Sequence, residues 1–313
     1  MQVLPLAVAS PALLEQVFAE ELEDWRAQLS WDCSSAVALI KRHISCRTLP
    51  GFFLAAGTAA AGYCYYVTAP PLGYLGNIYV VRDHASPSSY ELLITSALRA
   101  LQAHPDVRRI ESQVFDFNCD VAPIMVREGF VALRRFFMSL PLDRDLPLTE
   151  VHSHPRDFRI LAWDRGYFLP AADTIFDSYS GSPDHDMCYD YQSREGCVRF
   201  LRNLVDNPGC GKFSPETSRI ALDAAGRVTG VLITSLISPG TGMIPQISIK
   251  REAQGKGLGT ALLTRYFKAA KERGLSKVTL SVSAQNVGAH HLYSRLGFRE
   301  TKEFYAFIWT RKN

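Results

Sequence analysis

The chain carries one pattern of secondary structure twice, and that repetition limits its fold more than any other feature. Read by apolar periodicity and turn residues, residues 3–8 form a strand, and 11–28 and 34–47 form helices. Residues 52–56 and 62–68 form a hairpin about Gly57-Thr58, followed by a strand at 75–81, a helix at 88–103, a strand at 107–115, a helix at 118–128 and a last strand to 140. Ser86 or Ser88 caps the helix at 88, with Pro87 near its first turn. The order returns after residue 157: a strand at 159–162, helices at 167–179 and 194–205, and hairpin strands at 219–223 and 228–235 about Gly226. A strand at 244–250, a helix from 257, a strand at 278–283, a helix after 286 and a strand at 304–309 complete it. Asn118 lies eleven residues before Gly129-Phe130, and Asn286 lies eleven before Gly297-Phe298. Two copies of one unit of ordinary domain size follow, residues 1–140 and 157–313. Residues 141–156, in the Pro- and charge-rich run LPLDRDLPLTEVHSHPRD, are the linker. Each copy is expected to be α/β (α+β), a mixed central sheet flanked by helices.

The copies part company where a strand enters a helix. The second copy reads Ile247-Ser248-Ile249, then Gln254-Gly255-Lys256-Gly257-Leu258-Gly259, then a helix with Leu258, Leu262, Tyr266 and Ala269 near one side. Strand, glycine turn and helix together aim unpaired main-chain N–H groups, and the positive end of the helix dipole, at an anion. Three glycines in five residues exceed what a plain connection needs, so a phosphate-binding turn is preferred to a bare strand–helix link. The P-loop pattern fails because Gly257 follows Lys256 and the upstream glycine is missing. The dinucleotide pattern fails because Thr260 stands at its third glycine. The first copy has Ala85-Ser86-Pro87-Ser88-Ser89-Tyr90 at this place, without glycine, and Pro87 has no N–H to give.

Gln254, Gly257 and Gly259 fit Q/R-x-x-G-x-G/A, which resembles the acyl-CoA pyrophosphate loop of the GCN5-related N-acetyltransferase (GNAT) superfamily. Beyond the alternating strand from Val278 to Ser283, Asn286, Ala289, Leu292, Tyr293, Gly297 and Phe298 meet every defined position of N-x-x-A-x-x-L-Y-x-x-x-G-F. That pattern is similar to the motif after the superfamily's fifth strand. The resemblance covers residues 157–313 and implies two tandem GNAT-like acyl-CoA N-acyltransferase domains. The superfamily has tandem members with one working half, mycothiol synthases among them, and the likeness to those is of architecture alone.

The resemblance further implies acetyl-CoA as the acyl donor and a primary amine as the acceptor. The strands holding residues 247–249 and 278–282 would splay apart. The main chain at Ile247, Ser248 and Ile249 would take the pantetheine arm. Amides of Gly255, Lys256, Gly257, Leu258, Gly259 and Thr260, beside Gln254, would receive the pyrophosphate. Tyr293, one helical turn from Ala289 and two from Asn286, would set its hydroxyl near the sulfur as general acid. Asn286 would hydrogen-bond the cofactor arm or order the helix start. Met125 stands opposite Tyr293 and has no ionisable proton, so the first copy keeps the scaffold and loses both phosphate loop and hydroxyl.

Each assignment has a structural rival. Tyr293 on a partly apolar helix is also a core aromatic, Asn286 is also a helix cap, and the pair His290-His291 reads as surface or packing. No general base is evident: Ser281 stands where some relatives carry Glu, and Gln246 takes no proton. Asp184, Asp186 and Asp190, with Tyr189 and Tyr191, fall between the first two helices of the second copy. They suit a cationic amine by charge and cation–π contact, or they form a solvated acidic loop; a water relay is a further route for the proton.

The formal net charge of +3 is too small to point to nucleic acid or an anionic membrane, and no eighteen-residue apolar run exists. The N-terminal stretch lacks a basic region and reads as a strand entering a helix, not a signal peptide. Seven scattered cysteines without a C-x-x-C pair favour reduced thiols in the cytoplasm over disulfides or a metal site. The expectation is a cytoplasmic monomer or homodimer that passes acetyl from acetyl-CoA to the amine of a small molecule or peptide by direct attack. Amino sugars, polyamines, antibiotics, amino acids and protein N-termini all stay open as acceptors. A non-catalytic acyl-CoA sensor or scaffold is the alternative, with a nucleotide-binding protein third.

Overall fold

The computed structural model describes residues 1–142, 158–207 and 209–312, and the chain divides into two compact units. Apart from Pro141 and Leu142, the expected linker lies outside the described residues.

Unit 1 comprises Met1–Arg135 and Glu303–Asn313. Its elements are β1 (Gln2–Pro5), α1 (Glu15–Leu29), α2 (Ser34–Ser45), β2 (Gly51–Ala56), β3 (Ala59–Ala69), β4 (Leu72–Val80), α3 (Pro87–Ala103), β5 (Arg109–Val114), α4 (Ala122–Arg127) and the start of β6 (Val131–Pro141). β1 is shorter than its apolar run, because the chain after Pro5 coils into 3-10 turns at Leu6–Val8 and Pro11–Leu14 before α1 begins. The sheet order is β1-β2-β3-β4-β5, antiparallel except for β4 and β5. β4 and β5 pair only from Leu72↔Arg109 to Tyr74↔Glu111, although β4 runs on to Val80. The core gathers Phe18, Tyr63, Leu93, Leu98, Ile110 and Met125.

Unit 2 comprises Phe136–Lys302. It contains the rest of β6, then β7 (Arg159–Ala162), α5 (Phe168–Tyr179), α6 (Arg194–Asp206), β8 (Lys212–Phe213), β9 (Arg219–Leu222), β10 (Val228–Ser238), β11 (Thr241–Ile249), α7 (Leu258–Glu272), β12 (Lys277–Ser283), α8 (Val287–Arg295) and the start of β13 (Arg299–Thr310). The strand order is β6-β12-β11-β10-β9-β7. Successive side chains of β10 serve opposite faces, as strand geometry requires. Val231 and Ile233 join Ile175 of α5 and Leu201 of α6, whereas Leu232 joins Leu258, Leu262, Tyr266 and Phe267 of α7. Leu262 and Phe267 are fully buried, and burial stabilises by roughly 1.5–3 kcal/mol for each such apolar side chain.

The sequence places each last strand with the copy that precedes it, whereas the structure exchanges them. Residues from Glu303 onward belong to unit 1, where β13 runs antiparallel to β5 from Tyr305↔Val114 to Thr310↔Arg109 and Phe307 is buried in that core. Residues from Phe136 onward belong to unit 2, where Met138 and Leu140 join the α7 core. Alternation marks a strand but does not name its neighbour, so the sequence boundaries at 140 and 157 miss this exchange. Among the described residues no helix is long and apolar enough to cross a membrane, and no group of three His, Cys, Asp or Glu side chains is placed to hold a metal.

Candidate active site

The site begins where two parallel strands stop pairing. β11 and β12 are matched from Thr241↔Lys277 to Ile244↔Leu280, and no pair follows, although both strands continue. Pro245, the next residue, has no N–H with which to extend a ladder. β10 continues to hold the other edge of β11 through Leu232↔Ile247, Val231↔Ser248 and Gly230↔Ile249. Ile247, Ser248 and Ile249 therefore lie along a strand whose edge toward β12 is open. Unpaired main-chain groups along such an edge are free to bind an extended ligand.

The chain then turns into α7. A 3-10 turn at Arg251–Ala253 leads to Gln254, whose Nε2 donates to the Ile249 carbonyl at 3.0 Å and so closes the turn. Gly255 and Gly257 sit at φ +73° and +79°, a region that side-chain-bearing residues rarely adopt. Gly257 is the N-cap of α7, with no side-chain cap and no acidic residue in the first turn. The first helical bond runs from Ala261 N–H to the Gly257 carbonyl at 3.0 Å. The main-chain N–H groups of Gly255, Lys256, Gly257, Leu258, Gly259 and Thr260 find no partner among the described residues. Leu258 itself is buried and anchors the helix start, while Lys256 is exposed. This is an uncapped, positively polarised cradle of the kind that binds phosphate.

At the open end of the strands the side chains become polar. Gln246 and Ser248 are buried and face α5. Tyr179 donates to Gln246 Oε1 at 3.2 Å, Gln246 Nε2 donates to Ser248 Oγ at 2.7 Å, and Ser178 Oγ donates to Ser248 Oγ at 2.7 Å. The Ser248 side chain thus belongs to this network and its main chain pairs with Val231 of β10, so Ser248 is not available to an arm at the open edge, and only Ile247 and Ile249 turn main-chain groups there. Tyr179 stacks on Tyr191 with ring centroids 3.7 Å apart.

Tyr293 lies on α8, is 6% exposed, and packs edge-on against Phe298. Burial pushes its hydroxyl above the ordinary phenol range, and nearby Tyr179 and Asp184 add to the rise. A phenol held protonated in this way is a proton donor at neutral pH. The hydroxyl has no hydrogen-bond partner among the described residues. Asn286 caps α8: its Oδ1 accepts from Ala289 N–H at 3.2 Å, while its Nδ2 donates to Asp184 Oδ2 at 2.8 Å. The cap reading of Asn286 therefore holds. His290 pairs with Glu300 at 2.7 Å and packs near Phe136, which keeps it in a structural role.

Sequence reasoning singled out three aspartates without choosing among them, and it gave no role to Tyr179 or Ser178. No local motif marks those last two residues. Two adjacent hydroxyls at the end of α5 are the available signal, and their meaning depends on β11 lying opposite.

Residues 179–298 match the model of the acetyltransferase (GNAT) family. A mycothiol acetyltransferase from Arthrobacter sp. (strain FB24) is 39% identical over 92 residues, 28% of this chain and 28% of that protein, so the match spans under a third of the relative's length. A GCN5-related N-acetyltransferase structure from Sphaerobacter thermophilus superimposes with a TM-score of 0.69 at 17% identity, over 98% of this chain and 95% of that one. A tandem GNAT protein from the clavulanic acid biosynthesis pathway superimposes with a TM-score of 0.60 at 14% identity, over 100% and 99% of the two chains. At such identities the superpositions speak for the fold. Residues 179–298 thus resemble the GNAT acetyltransferase family, and the chain has the fold of tandem GNAT proteins.

Proposed function

We propose that the chain is an acyl-CoA-dependent N-acetyltransferase that moves acetyl from acetyl-CoA to a primary amine, with its working centre in unit 2. The observation that carries this reading is the unpartnered run of N–H groups from Gly255 to Thr260 at the end of an opened strand edge. Such a run suits a pyrophosphate, and the open edge suits the extended arm behind it. The family match and the acetyltransferase relatives support the same chemistry.

Bound there, acetyl-CoA supplies an acyl group activated as a thioester. The amides of residues 255–260 hold the two phosphates. The main chain at Ile247 and Ile249 orients the arm and turns an N–H toward the thioester oxygen, where charge develops. Tyr293 gives its proton to the departing sulfur. Asn286 orders the start of α8 and so fixes where Tyr293 stands. Unit 1 is the degenerate copy: Ser86 caps α3 by accepting from Ser89 N–H, Pro87 occupies its first turn, and the buried Met125 stands where the hydroxyl would be.

The test follows free thiol while the protein is mixed with acetyl-CoA and a panel of primary amines, with CoA binding measured by calorimetry. Binding with thiol release for at least one amine is expected. Absence of both overturns the reading. Tight binding without turnover, unchanged in Tyr293→Phe, would instead favour a non-catalytic acyl-CoA sensor.

A further inference from the structure

The three aspartates between α5 and α6 have different surroundings. Asp190 is taken by Arg199, whose Nη2 and Nε lie 2.8 and 3.2 Å from its Oδ1. Asp186 is exposed and meets Gln192 Nε2 at 3.3 Å. Asp184 is 7% exposed. Its Oδ2 accepts from Asn286 Nδ2 at 2.8 Å, and its main-chain N–H donates to Ser182 Oγ at 3.1 Å, which fixes the carboxylate in place. Its Oδ1 accepts no hydrogen bond, and the group forms no ion pair, among the described residues.

A buried carboxylate left without a cation is unfavourable. The fold leaves this one half-satisfied, within electrostatic reach of the Tyr293 hydroxyl. A cation brought from outside completes it. Acetyl transfer to an amine requires one: the acceptor arrives as an ammonium and must lose a proton before it attacks.

We propose that Asp184 binds the acceptor's ammonium through Oδ1 and removes its proton, so that the acceptor class is a primary amine that is cationic in water. This rests on the acetyltransferase reading above. Asp184 takes one proton from R–NH3+, leaving R–NH2. The nitrogen lone pair forms the C–N bond while the C–S electron pair leaves on sulfur. Tyr293 protonates that sulfur, and the second proton lost by nitrogen returns to the Tyr293 oxygen. Asp184 then releases its proton to water. In sum, ammonium and thioester give amide, thiol and one proton.

The test uses two acceptors at pH 7.5: propylamine, a cation there, and hydroxylamine, which is mostly neutral. Asp184→Asn is expected to lower kcat/KM for propylamine by about 100-fold, the scale of a lost general base. Its rate with hydroxylamine and its CoA affinity should stay near those of the full-length parent. Asp184→Glu should recover part of the propylamine rate, and Asp186→Asn should change neither. A structural role for Asp184 would depress both amines together. That result, or an unchanged propylamine rate, overturns the proposal. If Asp184→Asn fails to bind CoA, the same ratio of the two amines is read on Asp184→Ser. If the parent protein binds CoA yet releases no thiol with these or any other amine of the panel, the acetyltransferase reading falls, and this inference with it.

Discussion

β4–α3 of unit 1 and β11–α7 of unit 2 are built alike up to one turn. In each, a strand leaves a short parallel ladder, passes through a 3-10 turn (Arg82–His84 or Arg251–Ala253) and enters a long helix. In unit 1 the helix start is filled from within: Ser86 Oγ accepts from Ser89 N–H at 3.2 Å, and Pro87 has no N–H. In unit 2 two glycines at positive φ leave the same place empty of side chains. The buried acids differ in the same sense. Glu21 of α1 accepts from Tyr63 at 2.9 Å and Trp25 at 3.3 Å, and from Asn77; Asp24 pairs with Arg82 at 2.8 Å and accepts from Tyr79. Asp184 has one donor to its carboxylate. At these positions unit 1 satisfies its polar groups from within, whereas unit 2 leaves them for a ligand. A sheet therefore tolerates loss of its ligand site at the cost of a few side chains, without changing strand order.

The largest expected effect comes from closing the open turn. Gly257→Asp puts a side chain at φ +79° and a negative charge where phosphate would lie. CoA affinity, read by calorimetry, should fall about 100-fold or more. A loss under threefold would break the comparison at its root.

Next is the acid that unit 1 keeps for itself. Burial, with the Asp24 charge adding and hydrogen bonds from Tyr63, Trp25 and Asn77 opposing, raises Glu21 from 4.5 to about 7. Between these values the folded chain holds a proton that the unfolded chain has released. Stability from this group is therefore full below pH 4.5 and declines until about pH 7. The loss is about 3 kcal/mol across that window. Three of the four tryptophans, Trp25, Trp31 and Trp309, lie in unit 1, so urea unfolding followed by fluorescence reads it. Glu21→Gln should flatten the slope; a slope that persists would place its origin elsewhere.

Tyr293→Phe should lower kcat by about 10- to 100-fold with CoA affinity unchanged, measured by thiol release. A parallel loss of affinity would instead make Tyr293 a packing residue. Smallest is Ser86→Ala, which should cost unit 1 about 1 kcal/mol, seen as a lower urea midpoint. It should bring no CoA binding, since Pro87 remains.

Much of this was legible from spacing. The predicted strand at 159–162 and helix at 167–179 match β7 and α5 to within a residue, with Asp164 turning the chain between them. The glycine turn was legible because its chemistry is carried by the main chain over consecutive residues. The helix predicted at 118–128 shrank to Ala122–Arg127, since Asn118 and Asp120 use their side chains on nearby main-chain groups and hold a loop. Asp184 could not be told from Asp186 and Asp190, because burial and the reach of Arg199 or Asn286 are tertiary facts. The partner of a closing strand was equally hidden.

That exchange of closing strands bears on how the molecule is made. The edge of unit 1 is completed by β13, which leaves the ribosome only after the rest of unit 2. The half that is translated first must therefore wait, with the outer side of β5 bare, until the intervening unit has been made. Folding in order of synthesis is the usual route for multidomain chains; here the earlier-born half cannot be finished before the later one has emerged.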